Sequence, residues 1–190
     1  MSHKPYKGFE PKWVDTPAPQ DSYRSIFRWG APDFFKYPKE SLYKMMKEVF
    51  KLTDDDFKEY TDDIGFDKVD LSDHPVKLAQ EHLDALREIV GDEGISTSDY
   101  DRLSVAYGFT AYDILRLRHK IIDSVPDVVL YPDTTEQVEK IVAYATEHSS
   151  PLYVYGGGSS VTRGVEAVKG GISLDMRRRF NKVISVNEID

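Results

Sequence analysis

The residues of this sequence best suited to chemistry lie in the stretch YVYGGGSSVTRG, residues 153–164. Three consecutive glycines leave the backbone without Cβ atoms, and glycine has more conformational freedom to lose on folding than any other residue. Two roles fit that cost. The run can be a plain turn, or a nest of backbone N–H groups that converge on an anion and let a diphosphate approach closely. Ser159, Ser160 and Thr162 would add hydroxyl donors to such a nest. A Walker loop is excluded, because no Gly-Lys-Ser/Thr ending follows. The Rossmann fingerprint is excluded too, since its glycine spacing is not met and position 161 is Val. On composition alone the turn and the anion nest weigh equally.

Other reactive groups are sparse. The sequence has no cysteine, which excludes disulfides, thiolate nucleophiles, Cys-ligated zinc and iron–sulfur clusters within it. None of the 5 histidines stands at metal spacing with another His or a carboxylate pair, and His82 and His119 read as helix-surface residues. Asp54, Asp55, Asp56, Asp62 and Asp63 lack the Gly and terminal Glu of a calcium loop and read as a solvated face. The run Arg177, Arg178, Arg179 reads as a solvated strand edge or turn. No catalytic residue and no metal ligand can be named.

The elements that position the glycine loop follow from periodicity and capping signals. Ser124 marks a change of character. PDVVLYP is a β-branched run bracketed by prolines, as in a buried strand. DTTEQVEKIVAYATEHS is a helix, with Thr134 and Gln137 as a capping box and Val138, Ile141, Val142 and Ala145 on one face. PLYVYG is the next strand, and GGISLDM and NKVISVNEI supply two more. Strand, helix and strand of this length make a βαβ-like unit and place the domain in the α/β class.

The first 120 or so residues read as largely helical. Residues 1–38 form an extended arm with Pro11, Pro17 and Pro19, then an aromatic loop with Trp29, Phe34, Phe35 and Tyr37 as packing anchors. Residues 39–122 carry helices. KESLYKMMKEVFKL is amphipathic, with Met45 and Met46 as core filler. TDDDFKEY is a short capped helix. PVKLAQEHLDALREIV is a helix with Pro75 in its first turn and Ala79, Leu83, Leu86 and Val90 as its stripe. TAYDILRLRHKI is capped by Thr110 and Asp113. Residues 123–190 form the α/β part, and its strands are too few to close a covered sheet. The expectation is therefore the N-terminal piece of something longer.

A net charge of -8 argues against a nucleic-acid partner, and 40% hydrophobic residues argue against wholesale disorder. The N-terminal residues lack the apolar core of a signal peptide, and no apolar run approaches membrane-spanning length. A cytoplasmic location is the expectation.

Several motifs fall in an order that resembles a known family. Asp101-Arg102 is followed by Tyr107-Gly108, then by Pro126 through Pro132. Gly156 through Val161, Ser173 through Asp175, and Asn181 complete the series. This resembles the FAD-linked oxidases, whose flavin domain is shared by vanillyl-alcohol oxidase and p-cresol methylhydroxylase. Within them it is most similar to the alkyldihydroxyacetonephosphate synthase group and its bacterial relatives. The motifs match over roughly residues 95 to 190.

The resemblance implies an N-terminal helical region followed by the first βαβ part of an FAD-binding domain of the p-cresol methylhydroxylase type. It makes Val154, Tyr155, Gly156, Gly157, Gly158, Ser159 and Ser160 the loop around the FAD diphosphate. Val161 and Gly164 support it, and Pro132 holds a strand end near the adenine or diphosphate side. Tyr155 replaces an aliphatic residue usual in the family, and Ser159 a Thr. Some relatives tether the flavin through a His where Gly158 stands, so non-covalent FAD is implied.

The implied activity is exchange of an acyl group for a fatty alcohol on a dihydroxyacetone phosphate ester, in ether-lipid synthesis. The alternative is an FAD-dependent dehydrogenase of a 2-hydroxy acid such as lactate or glycolate. A third reading, of a different class, is a non-catalytic fragment without flavin. The family's catalytic residues and substrate cap lie further along the chain, so these residues alone are expected to bind FAD weakly. Peripheral membrane contact through a lipid substrate and a homodimer are further implications.

Overall fold

The chain divides into two units, residues 1–68 and 69–190, and a computed structural model describes residues 17–26, 39–56 and 65–189. In the first unit the described helices are α1 (Tyr23–Ile26) and α2 (Glu40–Phe50). The end of the expected arm closes a turn, in which the buried Ser22 donates through Oγ to the Pro19 carbonyl at 2.6 Å. α2 forms where its periodicity places it, but it buries none of its residues. Met45 is 41% exposed, so it does not fill a core. Thr53 and Asp56 exchange the reciprocal hydrogen bonds of a cap. The rest of that expected helix lies outside the described residues, as do Trp29, Phe34, Phe35, Tyr37, Asp62 and Asp63.

The second unit is built on a four-stranded sheet. Its strands are β1 (Ile95–Ser96), β2 (Val128–Leu130), β3 (Leu152–Tyr155) and β4 (Ile172–Asp175), in the order β1-β2-β4-β3. β4 runs parallel to both β2 and β3, and β1 is antiparallel to β2. β2 and β4 are buried along their whole length, the signature of strands covered on both faces. The βαβ unit read from the sequence exists, with one difference: β2 and β3 are not neighbours, because β4 lies between them.

Four further helices belong to this unit: α3 (Gln80–Val90), α4 (Asp99–Ser104), α5 (Ala111–Arg118) and α6 (Thr135–Glu147). Leu83, Leu86 and Val90 of α3 and Ile141 and Ala145 of α6 form one core with Val128, Leu130, Ile172 and Leu174. On the other face Val129, Tyr131 and Tyr155 pack with Val105 and Val165. Alternation along each strand separates the two sets.

Capping follows the sequence closely. Thr110 and Asp113 form both halves of a capping box on α5. Thr134 Oγ1 accepts from Gln137 N–H on α6, while the Gln137 side chain reaches one residue further out, to the Asp133 amide at 2.6 Å. Two expectations are corrected. Pro75–Ala79 are not helical, because the Lys77 amide is taken by Asp127 Oδ1 at 2.7 Å, and Ala79 is an extended N-cap. Residues 182–189 do not form a strand. Val183, Ile184 and Val186 are 81%, 94% and 75% exposed, with no partner strand among the described residues. α4 and β1 are additional elements. Among the described residues no helix is long and apolar enough to cross a membrane.

Candidate functional site

The glycine loop leaves the sheet at Tyr155, the carboxyl end of β3, where open α/β sheets place their ligands. The Met176 amide donates to the Tyr155 carbonyl at 3.0 Å, the last rung before the backbone departs. Among the described residues, no amide from Gly156 to Val165 donates to a protein acceptor. Ten successive backbone donors are therefore left without a protein acceptor in the segment that leaves the carboxyl end of β3.

The glycines divide into two kinds. Gly158 has φ +72°, and a Cβ there would meet the Tyr155 hydroxyl at 2.4 Å, so the fold itself requires glycine. At Gly156, Gly157 and Gly164 no left-handed backbone is needed, and a Cβ would meet nothing within 4 Å. The protein has no internal reason for glycine at these three positions. Open space beside unpaired amides is what an approaching diphosphate needs, so the residues present fit FAD.

The remaining expected positions are arranged around this loop. Val154 is 59% exposed on the edge strand, and the next side chain, Tyr155, is buried on the opposite face. Ser159 is exposed, Ser160 half-buried and Val161 66% exposed. Pro132 is buried just beyond the end of β2. It shares the carboxyl end of the sheet with the loop, with β4 between them.

Two structures hold the loop from outside it. The first is the Tyr107–Phe109 turn. The Phe109 amide donates to the Ser160 carbonyl at 3.1 Å, and Tyr155 Oη donates to the Tyr107 carbonyl at 3.3 Å. A Cβ on Gly108 would come within 2.0 Å of the Ser160 carbonyl oxygen. The second is an ion network centred on buried Arg116. Its Nη1 contacts Glu166 at 2.7 Å and Asp113 at 3.6 Å, and Nη2 pairs with Asp123. Glu166 also takes Arg163 Nε at 2.9 Å, and the Arg116 guanidinium lies 4.4 Å from the Tyr107 ring centre.

The three arginines after β4 stand in a partly exposed turn, as expected, and each is in addition paired with a carboxylate. Arg177 chelates Asp175 at 3.0 and 2.7 Å and covers the Tyr155 ring at 4.4 Å. Arg178 reaches Asp101 at 3.0 Å over Tyr131, and Arg179 reaches Asp133 at 2.7 Å. Burial pushes the Tyr107, Tyr131 and Tyr155 hydroxyls above their ordinary pKa. His82, expected as a plain surface residue, bonds Tyr144 through Nδ1 at 2.6 Å. Glu166, Asp127 and Arg116 carry no sequence signal, since their roles depend on partners 44 to 50 residues distant.

Comparison with known proteins agrees with this geometry. Residues 126–190 match the FAD binding domain family. The chain is 34% identical over 109 residues to an alkyldihydroxyacetonephosphate synthase of Trypanosoma brucei brucei, spanning 55% of this chain and 18% of that protein. It is 36% identical over 73 residues to a mitochondrial D-lactate dehydrogenase (cytochrome) of Arabidopsis thaliana, spanning 38% of this chain and 13% of that protein. A solved structure of an alkyldihydroxyacetonephosphate synthase superposes with a TM-score of 0.56 at 27% identity, over 60% of this chain and 21% of the other. The chain thus spans about a fifth of the length of these synthases. Residues 126–190 thus match the FAD binding domain family, in a chain similar over part of its length to alkyldihydroxyacetonephosphate synthases, and FAD is the cofactor that this match supports.

Proposed function

We propose that the protein works as a flavoenzyme of the alkyldihydroxyacetonephosphate synthase-like group, with residues 154–160 as the loop around the diphosphate of dissociable FAD. The observation that carries this reading is the trio Gly156, Gly157 and Gly164, glycines with no steric or conformational need inside the protein, beside ten unpaired amides. FAD, when bound, supplies the reactive ring at which substrate carbon chemistry takes place. The chain's own part is to bind the diphosphate through backbone N–H groups, with Ser159 and Ser160 as hydroxyl donors. Val161 and Gly164 support the loop, and Pro132 closes the neighbouring strand end. Gly158 carries no side chain to tether a flavin, and its contact with Tyr155 leaves no room for one.

The reaction is exchange of an acyl group for a fatty alcohol on a dihydroxyacetone phosphate ester. Lipid chemistry of that kind fits a cytoplasmic protein, a homodimer, that touches a membrane surface through its substrate. A second reading, oxidation of a 2-hydroxy acid, is favoured by the similarity to the D-lactate dehydrogenase. Purified full-length protein should be yellow, and acid precipitation should release its flavin into the supernatant. A colourless protein that cannot be reconstituted with FAD rules out both readings. Bleaching of the flavin by D-lactate or glycolate selects the dehydrogenase. Acyl-for-alcohol exchange without net flavin reduction selects the synthase.

A further inference from the structure

The FAD-binding match begins at Pro126, yet the contacts that shape the glycine loop come largely from residues before it. We propose that the segment from Tyr107 to Arg116 is a working part of the cofactor site, a clamp that holds the loop in its binding shape before the cofactor arrives. The proposal rests on the reading of residues 154–160 as the diphosphate loop.

Three contacts carry it. At the start of the loop, Tyr155 Oη is bonded to the Tyr107 carbonyl, and the ring it anchors is the surface on which Gly158 rests. In the middle, the Ser160 carbonyl is bonded by the Phe109 amide and lies so close to Gly108 that no larger residue fits. At the end, Arg116 holds Glu166, which in turn holds Arg163, a residue with φ +65°. A non-glycine residue in that left-handed region is strained and needs its surroundings to keep it there.

The clamp uses the loop's carbonyls and side chains and leaves its amides free. That is the division of labour a preorganised anion nest requires: the backbone is immobilised through its acceptors while every donor stays available. A loop held in this way spares the cofactor the cost of ordering it, so loosening the clamp lowers apparent affinity by the fraction of time the loop is out of shape.

The test compares Gly108→Ala, Tyr155→Phe and Gly157→Leu in the full protein, using FAD affinity from flavin fluorescence. Backbone order parameters for residues 156–164 of the apo protein, with α6 as internal reference, accompany it. Gly108→Ala should push the Ser160 carbonyl away, lower the order parameters of the loop while α6 stays rigid, and weaken FAD binding at least tenfold. Tyr155→Phe keeps the ring under Gly158 and removes one hydrogen bond, so it should fold normally and weaken binding by about threefold. Wild-type loop order and wild-type affinity in both variants would overturn the clamp. At Gly157 a Cβ meets nothing within 4 Å, so Gly157→Leu reads the loop assignment: unchanged affinity there would overturn that assignment instead.

Discussion

The phenol ring of Tyr155 lies directly under Gly158: a methyl group on Gly158 would stand 2.4 Å from its hydroxyl oxygen and 2.8 Å from its ring edge. The two positions are coupled, since the large buried side chain at 155 is compatible only with glycine at 158. Replacement of an aliphatic residue by Tyr at this position is therefore no neutral change. It fills the floor of the loop and anchors it to the Tyr107 carbonyl.

The neighbouring glycines should respond in opposite directions. Gly158→Ala combines a left-handed backbone with a clash and should lower the unfolding free energy by about 1–3 kcal/mol. Gly157→Ala meets nothing and needs no left-handed φ, so it should leave stability unchanged or raise it by about 0.5 kcal/mol. Urea denaturation of the apo protein compares the two. Equal losses would mean that the loop does not rest on Tyr155.

Removing Arg116 should be costly for what it leaves behind. Arg116→Met leaves Asp113, 1% exposed, without its cation and Glu166, 8% exposed, with Arg163 alone. The expected loss is about 3–5 kcal/mol. Glu166→Gln should cost less, because Arg116 keeps Asp113 and Asp123. Denaturant midpoints of the two variants give the order.

Alkaline pH should destabilise the second unit more steeply than a surface rich in tyrosine would. The buried Tyr107, Tyr131 and Tyr155 have hydroxyls raised above the ordinary tyrosine pKa of about 10, mainly by burial. A raised folded pKa favours the protonated form in the folded state. The stabilisation is thus fully present below pH 10 and is lost as pH climbs toward the folded values. Each of the three adds about 1.4 kcal/mol per pH unit to the decline in that window. Tyrosinate absorbance followed with circular dichroism checks this: the last tyrosines should ionise together with unfolding. Tyr131→Phe should make the decline shallower.

Asp127 ties three segments together. It accepts the Lys77 amide at 2.7 Å and the Gly171 amide at 2.6 Å, from its own place at the entry to β2. Asp127→Ala should cost about 2–3 kcal/mol through the lost charged hydrogen bonds and the orphaned Gly171 amide. Asp127→Asn, which keeps one acceptor oxygen, should recover about half. Thermal unfolding of both variants measures the difference.

What could be read from the sequence was what local physics determines. The Thr110–Asp113 and Thr134–Gln137 caps are encoded within four residues, and both helices start where those signals stand. Buried strands announce themselves as short β-branched runs between punctuating residues, as 128–130 and 172–175 do. The misreadings share one cause, a distant partner. Pro75 suits a helix start, but Asp127 claims an amide in that segment from 50 residues away. The run 182–189 has strand composition, yet a strand exists only beside another. Arg178 and Arg179 lie in a partly exposed turn as read, but their partners Asp101 and Asp133 are brought to them by the fold and carry no local signal. For the candidate site, the loop was legible in its glycines. Arg116 and Glu166, which brace it, were not.

The sheet order carries a consequence for how this protein comes into being. β2 and β3 are made first, but neither bonds to the other. β4, which follows both in the chain, is the one that joins them. Until residues 172–175 emerge and slide between them, Tyr155 has neither its ladder partner nor the cover of Arg177. The glycine loop therefore acquires its shape only after β4 has been made, and a growing chain cannot present its amides in register to any anion before then.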